Sequence, residues 1–252
     1  MKKKLCLILL SVVALLFLLP VGYTLMKSFR YEDSGLTLRQ YLELLTTNYT
    51  VLRFFWNSML YAIVITVVCI AVSFPIGFLF AKIRFRGSEV LFFIYIVVML
   101  LPFQATLLPN YLGLQSLGLL DKWPALVLPM MFSPLAVFMF RQTMRGIPVE
   151  QVEYTMLETN SVIRMLFHVV LPQMKGAIIA LTILIFCESW NMVEQVMIFA
   201  DRNEDIWPLS VMLTRLPEDV TYAGAVVYLY PVLVLFLCFR NTFREAMEKF
   251  KW

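Results

Sequence analysis

Charge is what this 252-residue sequence has least of: Asp, Glu, Lys and Arg make up 15% of it, against about a quarter in a soluble globular chain. That shortage excludes an ordinary water-solvated domain, because a 61% hydrophobic composition and a mean hydropathy of +0.80 leave too little polar surface to cover a core. Histidine occurs once, and the four cysteines, Cys6, Cys69, Cys187 and Cys238, each sit inside an apolar run without CxxC spacing. Neither a disulfide framework nor a zinc site follows. Nine glycines and twelve prolines, none periodic, exclude low-complexity and collagen-like chains. No phosphate-cradling GxxxxGK[ST] and no Ser/His/Asp or metal-ligand constellation is present, so nothing in the chain announces an enzyme or a bound cofactor. The net charge of +4 falls in small clusters between apolar runs, which fits membrane topology better than nucleic-acid binding.

What is abundant is apolar sequence in lengths that suit a bilayer. A helix needs about 20 mostly apolar residues to cross roughly 30 Å of hydrocarbon. Six such runs are present, at residues 5–26, 58–80, 90–108, 123–140, 177–199 and 222–239. The first follows Lys2, Lys3 and Lys4 as a secretory signal would, but it is long and no A-x-A-like cleavage site follows, so we expect it to be retained. An all-α polytopic membrane protein with six transmembrane helices is therefore expected. Of the 21 Lys and Arg, 14 fall in the set of segments that holds both termini and 7 in the other, which predicts cytoplasmic termini by the positive-inside rule.

The largest segment on that side, residues 141–176, carries its own helical signals. Pro148 suits a first helical position, and Glu150 and Glu153 then lie in early turns where the helix dipole favours anions. Thr159-Asn160-Ser161 breaks the pattern. Ser161 is a good N-cap for a second helix in which Val162, Met165, Leu166, Val169 and Val170 recur at three- and four-residue spacing, until Leu171-Pro172 is expected to end it. Periodicity alone describes an amphipathic helix lying on the bilayer.

Read in order, PVEQVEYTMLETNSVIRMLFHVVLP resembles the cytoplasmic EAA loop of permease subunits of bacterial binding-protein-dependent ABC importers. Glu153 matches the motif's glutamate and Leu171-Pro172 its closing pair; Tyr154 and Thr155 replace two alanines, Glu158 an aspartate and Thr159 a glycine. The resemblance extends in order over residues 55–216, through Phe55-Trp56-Asn57-Ser58, Leu101-Pro102-Phe103-Gln104, Phe140-Arg141-Gln142, Trp190-Asn191 and Trp207-Pro208-Leu209. It is similar to the smaller permease of maltose-type systems, in the sugar-importer branch.

That resemblance implies a type I ABC importer transmembrane fold in a bacterial plasma (inner) membrane. The chain would divide into a first helix and extracytoplasmic segment at 1–53, the transmembrane domain at 54–240 with its coupling loop at 141–176, and a cytoplasmic tail at 241–252. It also implies partners: a second permease subunit in a heterodimer, a cytoplasmic ATPase dimer that binds the ATP, an extracytoplasmic solute-binding protein and membrane lipid. The permease itself would bind no cofactor and hydrolyse nothing. The ATPase contact would fall on Glu150, Glu153, Glu158, Thr159, Asn160, Ser161, Val162, Met165, Leu166, Leu171 and Pro172.

Solute chemistry is most readable in the fifth run. With Glu188 at zero on a helical wheel, Asn191, Gln195 and Glu194 fall at about −60°, −20° and −120°, on one side of the helix. A charge at a helix centre costs about 2.5–3.5 kcal/mol on insertion scales, so such a stripe is expected to face a bundle interior or a watery path. Trp190 joins it through the resemblance, and Gln104 beside Pro102 adds an amide where a proline bends the third run. A carbohydrate, an oligosaccharide or a glycoside, is the expected solute. Two other readings stay open: an importer for a polyamine or another polar cation, which the intramembrane glutamates would suit, and a membrane channel or scaffold unrelated to ATPases.

Overall fold

The computed structural model describes residues 2–31, 34–46, 49–83, 85–159 and 161–249. Asn160, named above at the coupling loop, lies outside the described residues, as do the side chains of Glu158 and Thr159 and the last three residues of the tail.

Helix α1 (Lys2–Ser28) is about 40 Å long at 1.5 Å per residue, and its apolar side chains project outward almost along its whole length. In hydrocarbon this exposure carries no penalty, since lipid tails are as apolar as leucine. A two-stranded hairpin, β1 (Arg30–Tyr31) and β2 (Ser34–Leu36), leads into α2 (Arg39–Thr46). One buried side chain gathers this region: the Gln40 amide donates to the carbonyls of Lys27 (2.8 Å) and Arg30, while its oxygen accepts from the backbone of Ala223 at 3.3 Å. Nothing in the local sequence marks Gln40, because its partners lie up to 183 residues away.

The centre of the bundle is α3 (Tyr49–Lys82), against which much of the rest packs. Gly77 sets one approach: a Cβ there would sit 2.6 Å from that of Phe140, so only glycine admits the neighbouring helix this closely. After it come α4 (Ser88–Met99) and α5 (Phe103–Ser116), bent by 98° at residues 100–102, where Pro102 is extended (φ −63°, ψ 145°). The third run is thus a broken pair rather than one bent helix over 90–108. The fourth passes through α6 (Trp123–Val127), a 3₁₀ turn at Leu128–Met131 and α7 (Pro134–Arg145), which Ser133 caps by accepting from the Ala136 amide at 3.3 Å.

The loop contains α8 (Val149–Thr159) and then a helical stretch made of α9 (Val162–Met165), a wide π turn at Leu166–Val170 and α10 (Leu171–Gln173). Ser161 caps it, accepting from the Arg164 amide at 3.4 Å. Leu171-Pro172 does not end the helix as expected: Pro172 cannot bond to the carbonyl four residues back, and the π turn just before it gives the ring room, so helical structure continues to Gln173.

An 81° bend separates this stretch from α11 (Lys175–Trp190). The fifth run does not span 177–199 as one helix. It stops at Trp190, residues 191–193 are non-helical, and α12 (Glu194–Phe199) begins afresh. A 3₁₀ turn at Glu204–Ile206, α13 (Leu209–Met212) and a second 3₁₀ turn at Leu213–Arg215 precede α14 (Glu218–Lys249), which runs without interruption past residue 241. Among the described residues four helices are long and apolar enough to cross a membrane, and six spans result if each bent pair counts as one.

Candidate functional site

The break after Trp190 builds a cleft. At 1.5 Å per residue Glu188 stands about 20 Å along α11 from Lys175, so it faces the far part of the span rather than its middle. Where the helix ends, the chain turns across the start of α5, and the two border an open cleft of about 780 Å³. Gln104, Glu188, Asn191, Glu194 and Gln195 line it, with an apolar wall that includes Phe103, Met130, Leu135 and Leu184. The polar stripe drawn on a continuous wheel is therefore not a helical stripe, yet its four residues and Gln104 line one cleft across the break. Gln104 Nε2 lies 3.5 Å from a Glu194 carboxylate oxygen.

Trp190 is placed elsewhere. It is fully buried, stacked between Phe186 (centroids 5.8 Å) and Tyr228 (5.5 Å), with Phe55 edge-on at 5.9 Å and its indole N–H donating to the Tyr228 carbonyl at 3.2 Å. Its indole supports the cleft from behind instead of lining it. Tyr228, which the sequence did not single out, completes the support: its hydroxyl donates to Asn191 Oδ1 at 2.7 Å and lies 3.1 Å from the Trp190 carbonyl. The Asn191 side-chain amide in turn donates to the Cys187 carbonyl at 2.7 Å, which also accepts the Asn191 backbone N–H at 3.1 Å in the last turn of the helix.

Beyond the cleft, residues 201–217 fold as a packed cap. Trp207 is 2% exposed and donates through its indole to the Ala200 carbonyl at 2.8 Å. Asn57 donates to the carbonyls of Asp205 (2.9 Å) and Trp207 (3.1 Å), Tyr61 to that of Ile206 (2.9 Å), and Ser58 Oγ accepts from the Leu209 amide at 2.7 Å. Arg53 pairs with Asp205 at 2.7 Å, and Ser210 donates to the Met192 carbonyl in the break itself. The Phe55–Ser58 and Trp207–Leu209 signatures, separated by about 150 residues, thus meet as one hydrogen-bonded joint.

At the opposite end of α3 a second joint forms. Arg141, nearly buried, donates to the Phe80 carbonyl (3.1 Å) and to both Glu89 carboxylate oxygens (2.8 Å), and its guanidinium lies 3.6 Å over the Phe92 ring. Arg145 adds a contact to Glu89 at 3.0 Å, and the Lys82 ammonium donates to the Ile147 carbonyl at the entry to the loop. In the loop, Met165 and Val170 are buried and Leu166 and Leu171 half-buried. Glu150, Glu153, Val162 and Pro172 are exposed, and so are Tyr154, Leu157, Ile163 and Phe167. Gln173 ties the two loop helices by donating to Gln151 at 3.2 Å. A polar segment anchored at its base therefore presents an apolar edge with no cover among the described residues.

Comparison with known proteins agrees with this architecture. Residues 73–244 match the family described as binding-protein-dependent transport system inner membrane component. The arabinooligosaccharide transport system permease AraQ of Halalkalibacterium halodurans is 29% identical over 219 residues, 84% of this chain and 78% of that one. The lactose transport system permease LacG of Rhizobium radiobacter is 26% identical over 199 residues, covering 77% and 72% of the two chains. The sn-glycerol-3-phosphate permease UgpE of Brucella abortus is 31% identical over 159 residues, 63% of this chain and 52% of that one. A crystal structure of a bacterial ABC transporter involved in alginate import superposes with a TM-score of 0.84 over 95% of both chains at 21% identity, which shows a shared fold. With its family signature covering most of the bundle, the chain belongs to the binding-protein-dependent inner-membrane transport components, as a multi-pass permease of the type I ABC importer fold.

Proposed function

We propose that this chain forms half of the path by which a carbohydrate crosses the inner membrane, paired with a second, different permease. A cytoplasmic ATPase dimer binds and hydrolyses the ATP and docks on the loop from Glu150 to Pro172. An extracytoplasmic solute-binding protein delivers the solute at the cap of residues 201–217. The observation that carries this reading is the cleft at the end of α11: carboxylates and amides from Gln104, Glu188, Asn191, Glu194 and Gln195, set against an apolar wall, suit the hydroxyls and the apolar faces of a sugar ring. Permeases named for arabinooligosaccharides and lactose among the relatives support the solute class. The exposed edge of Tyr154, Leu157, Val162, Ile163 and Phe167 supports the docking, since an amphipathic helix with leftover apolar side chains fits a groove on a partner. The 14-to-7 distribution of Lys and Arg supports cytoplasmic termini and a cytoplasmic loop.

One reconstitution tests these together. The assembled transporter in sealed vesicles should accumulate a labelled oligosaccharide only when ATP is supplied on the side from which an impermeant thiol reagent modifies Ser161→Cys. Nucleotide-independent uptake would make the chain a channel, and modification from the opposite side would invert the topology.

A further inference from the structure

Resting on the carbohydrate reading, we propose that the cleft at the end of α11 selects saccharides that carry a protonated amine, with Glu188 and Glu194 as the groups that recognise the ammonium and Gln195 as a hydroxyl contact. Both charged side chains that line the cavity are carboxylates, and among the described residues no Lys, Arg or His lines it. Four acids elsewhere, Glu43, Glu89, Glu204 and Asp205, each meet an arginine within 3.0 Å, whereas no such pairing neutralises either cleft carboxylate among the described residues. Glu188 meets no ion-pair or hydrogen-bond partner among the described residues, and Glu194 only the Gln104 amide at the outer limit of a hydrogen bond.

Gln195 supplies an independent sign of a ligand. It is 8% exposed, it lines the same cavity, and its amide has no hydrogen-bond partner among the described residues. Gln195 is nearly buried, yet its amide atoms reach the cavity and bond to what enters there, water or a solute hydroxyl. The Asn191 carboxamide already makes one bond to Cys187 and one to Tyr228, so most of the free capacity of the site lies with the Gln104 and Gln195 amides and the two carboxylates. Carboxylates accept from an ammonium through charge-assisted bonds stronger than those from a hydroxyl, and they repel a uronate or a phosphate. The volume of about 780 Å³ lies within the usual range for a small-molecule site, about 300–1,000 Å³. The shared fold with the alginate importer carries no information on solute charge, because fold does not fix the chemistry of a site.

The test uses the complete transporter in vesicles and three disaccharides of one linkage: diglucosamine, its neutral di-N-acetyl form, and a diuronate. Wild type should carry the diamine faster than the neutral compound and at least about tenfold faster than the diuronate, the ratio that one well-placed charge-assisted contact provides. Glu188→Gln with Glu194→Gln should lower the diamine-to-neutral ratio by at least about tenfold. Wild-type uptake of the diuronate equal to or faster than that of the diamine overturns the assignment whatever the variants do, and so does a ratio that survives in the double variant. ATP-driven uptake of none of the three would instead count against the carbohydrate reading itself.

Discussion

Residues 201–217, beyond the far end of α11, turn their large side chains inward, whereas residues 149–173, before its near end, turn several outward. In the first segment Trp207, Leu209 and Val211 are buried, and backbone groups that no helix satisfies are taken up by Asn57, Ser58 and Tyr61 of α3. In the second, Met165 and Val170 anchor the base, while Ile163 and Phe167, one turn apart, stay 69% and 61% exposed. Both segments adjoin the same helix, so the contrast is not one of place in the bundle. Closed segments hold a shape; an edge of uncovered apolar side chains marks where another apolar surface, a partner or lipid, belongs.

The contrast can be broken first at its closed side. Trp207→Ala removes a fully enclosed ring, its hydrogen bond to Ala200 and the platform on which the Arg215 guanidinium rests 4.2 Å above the ring. Large-to-small changes of this kind cost about 3–5 kcal/mol, so thermal unfolding in detergent should shift sharply downward and little folded protein should be recovered. An unshifted transition would mean that the cap is only loosely attached.

The open side should respond in the opposite way. Ile163→Ser with Phe167→Ser changes exposed side chains without a buried partner, and stability should move by no more than about 0.5 kcal/mol. Capture of the ATPase from the assembled complex should nevertheless fall at least about tenfold, equivalent to about 1.4 kcal/mol. Full retention of the ATPase by this variant would remove the loop from the docking surface, and a large loss of stability would show that its edge is covered from within.

What could be read in advance follows the range of the forces involved. The ends of α8 and α9 were legible because Pro148 and Ser161 act within one turn of themselves, through a fixed φ and a side-chain cap. The long spans α1, α3 and α14 were legible from apolar length alone. The end of α11 was not: Met192, Val193 and Met197–Phe199 continue the apolar composition across the break, so hydropathy passes over it. What stabilises the break is distant, namely Ser210 on the Met192 carbonyl and Tyr228 on Asn191. The four residues that the wheel grouped, Glu188, Asn191, Glu194 and Gln195, therefore line the cleft for a reason other than the wheel, and Gln104 reaches it from the bend at Pro102. Trp190 was misassigned because a residue's place in a motif says nothing about which way its ring turns.

The smallest expected effect lies where the closed architecture touches the cleft. Tyr228 belongs to α14, and its ring stacks on Trp190 with 29° between the planes, a packing that Tyr228→Phe retains. The variant loses only the hydroxyl, which donates to Asn191 Oδ1, and a single neutral hydrogen bond contributes about 0.5–1.5 kcal/mol net. Stability should therefore fall by about 1 kcal/mol, well short of the Trp207→Ala loss. Asn191 keeps its bond to the Cys187 carbonyl, so its amide is freed at one end only and can turn within the cleft. Solute uptake should show a KM raised about two- to fivefold, the scale of that lost bond, with little change in the maximal rate. A change confined to the maximal rate would instead assign the hydroxyl to the motion of the break, and no change in either would make the Tyr228–Asn191 bond incidental to the cleft.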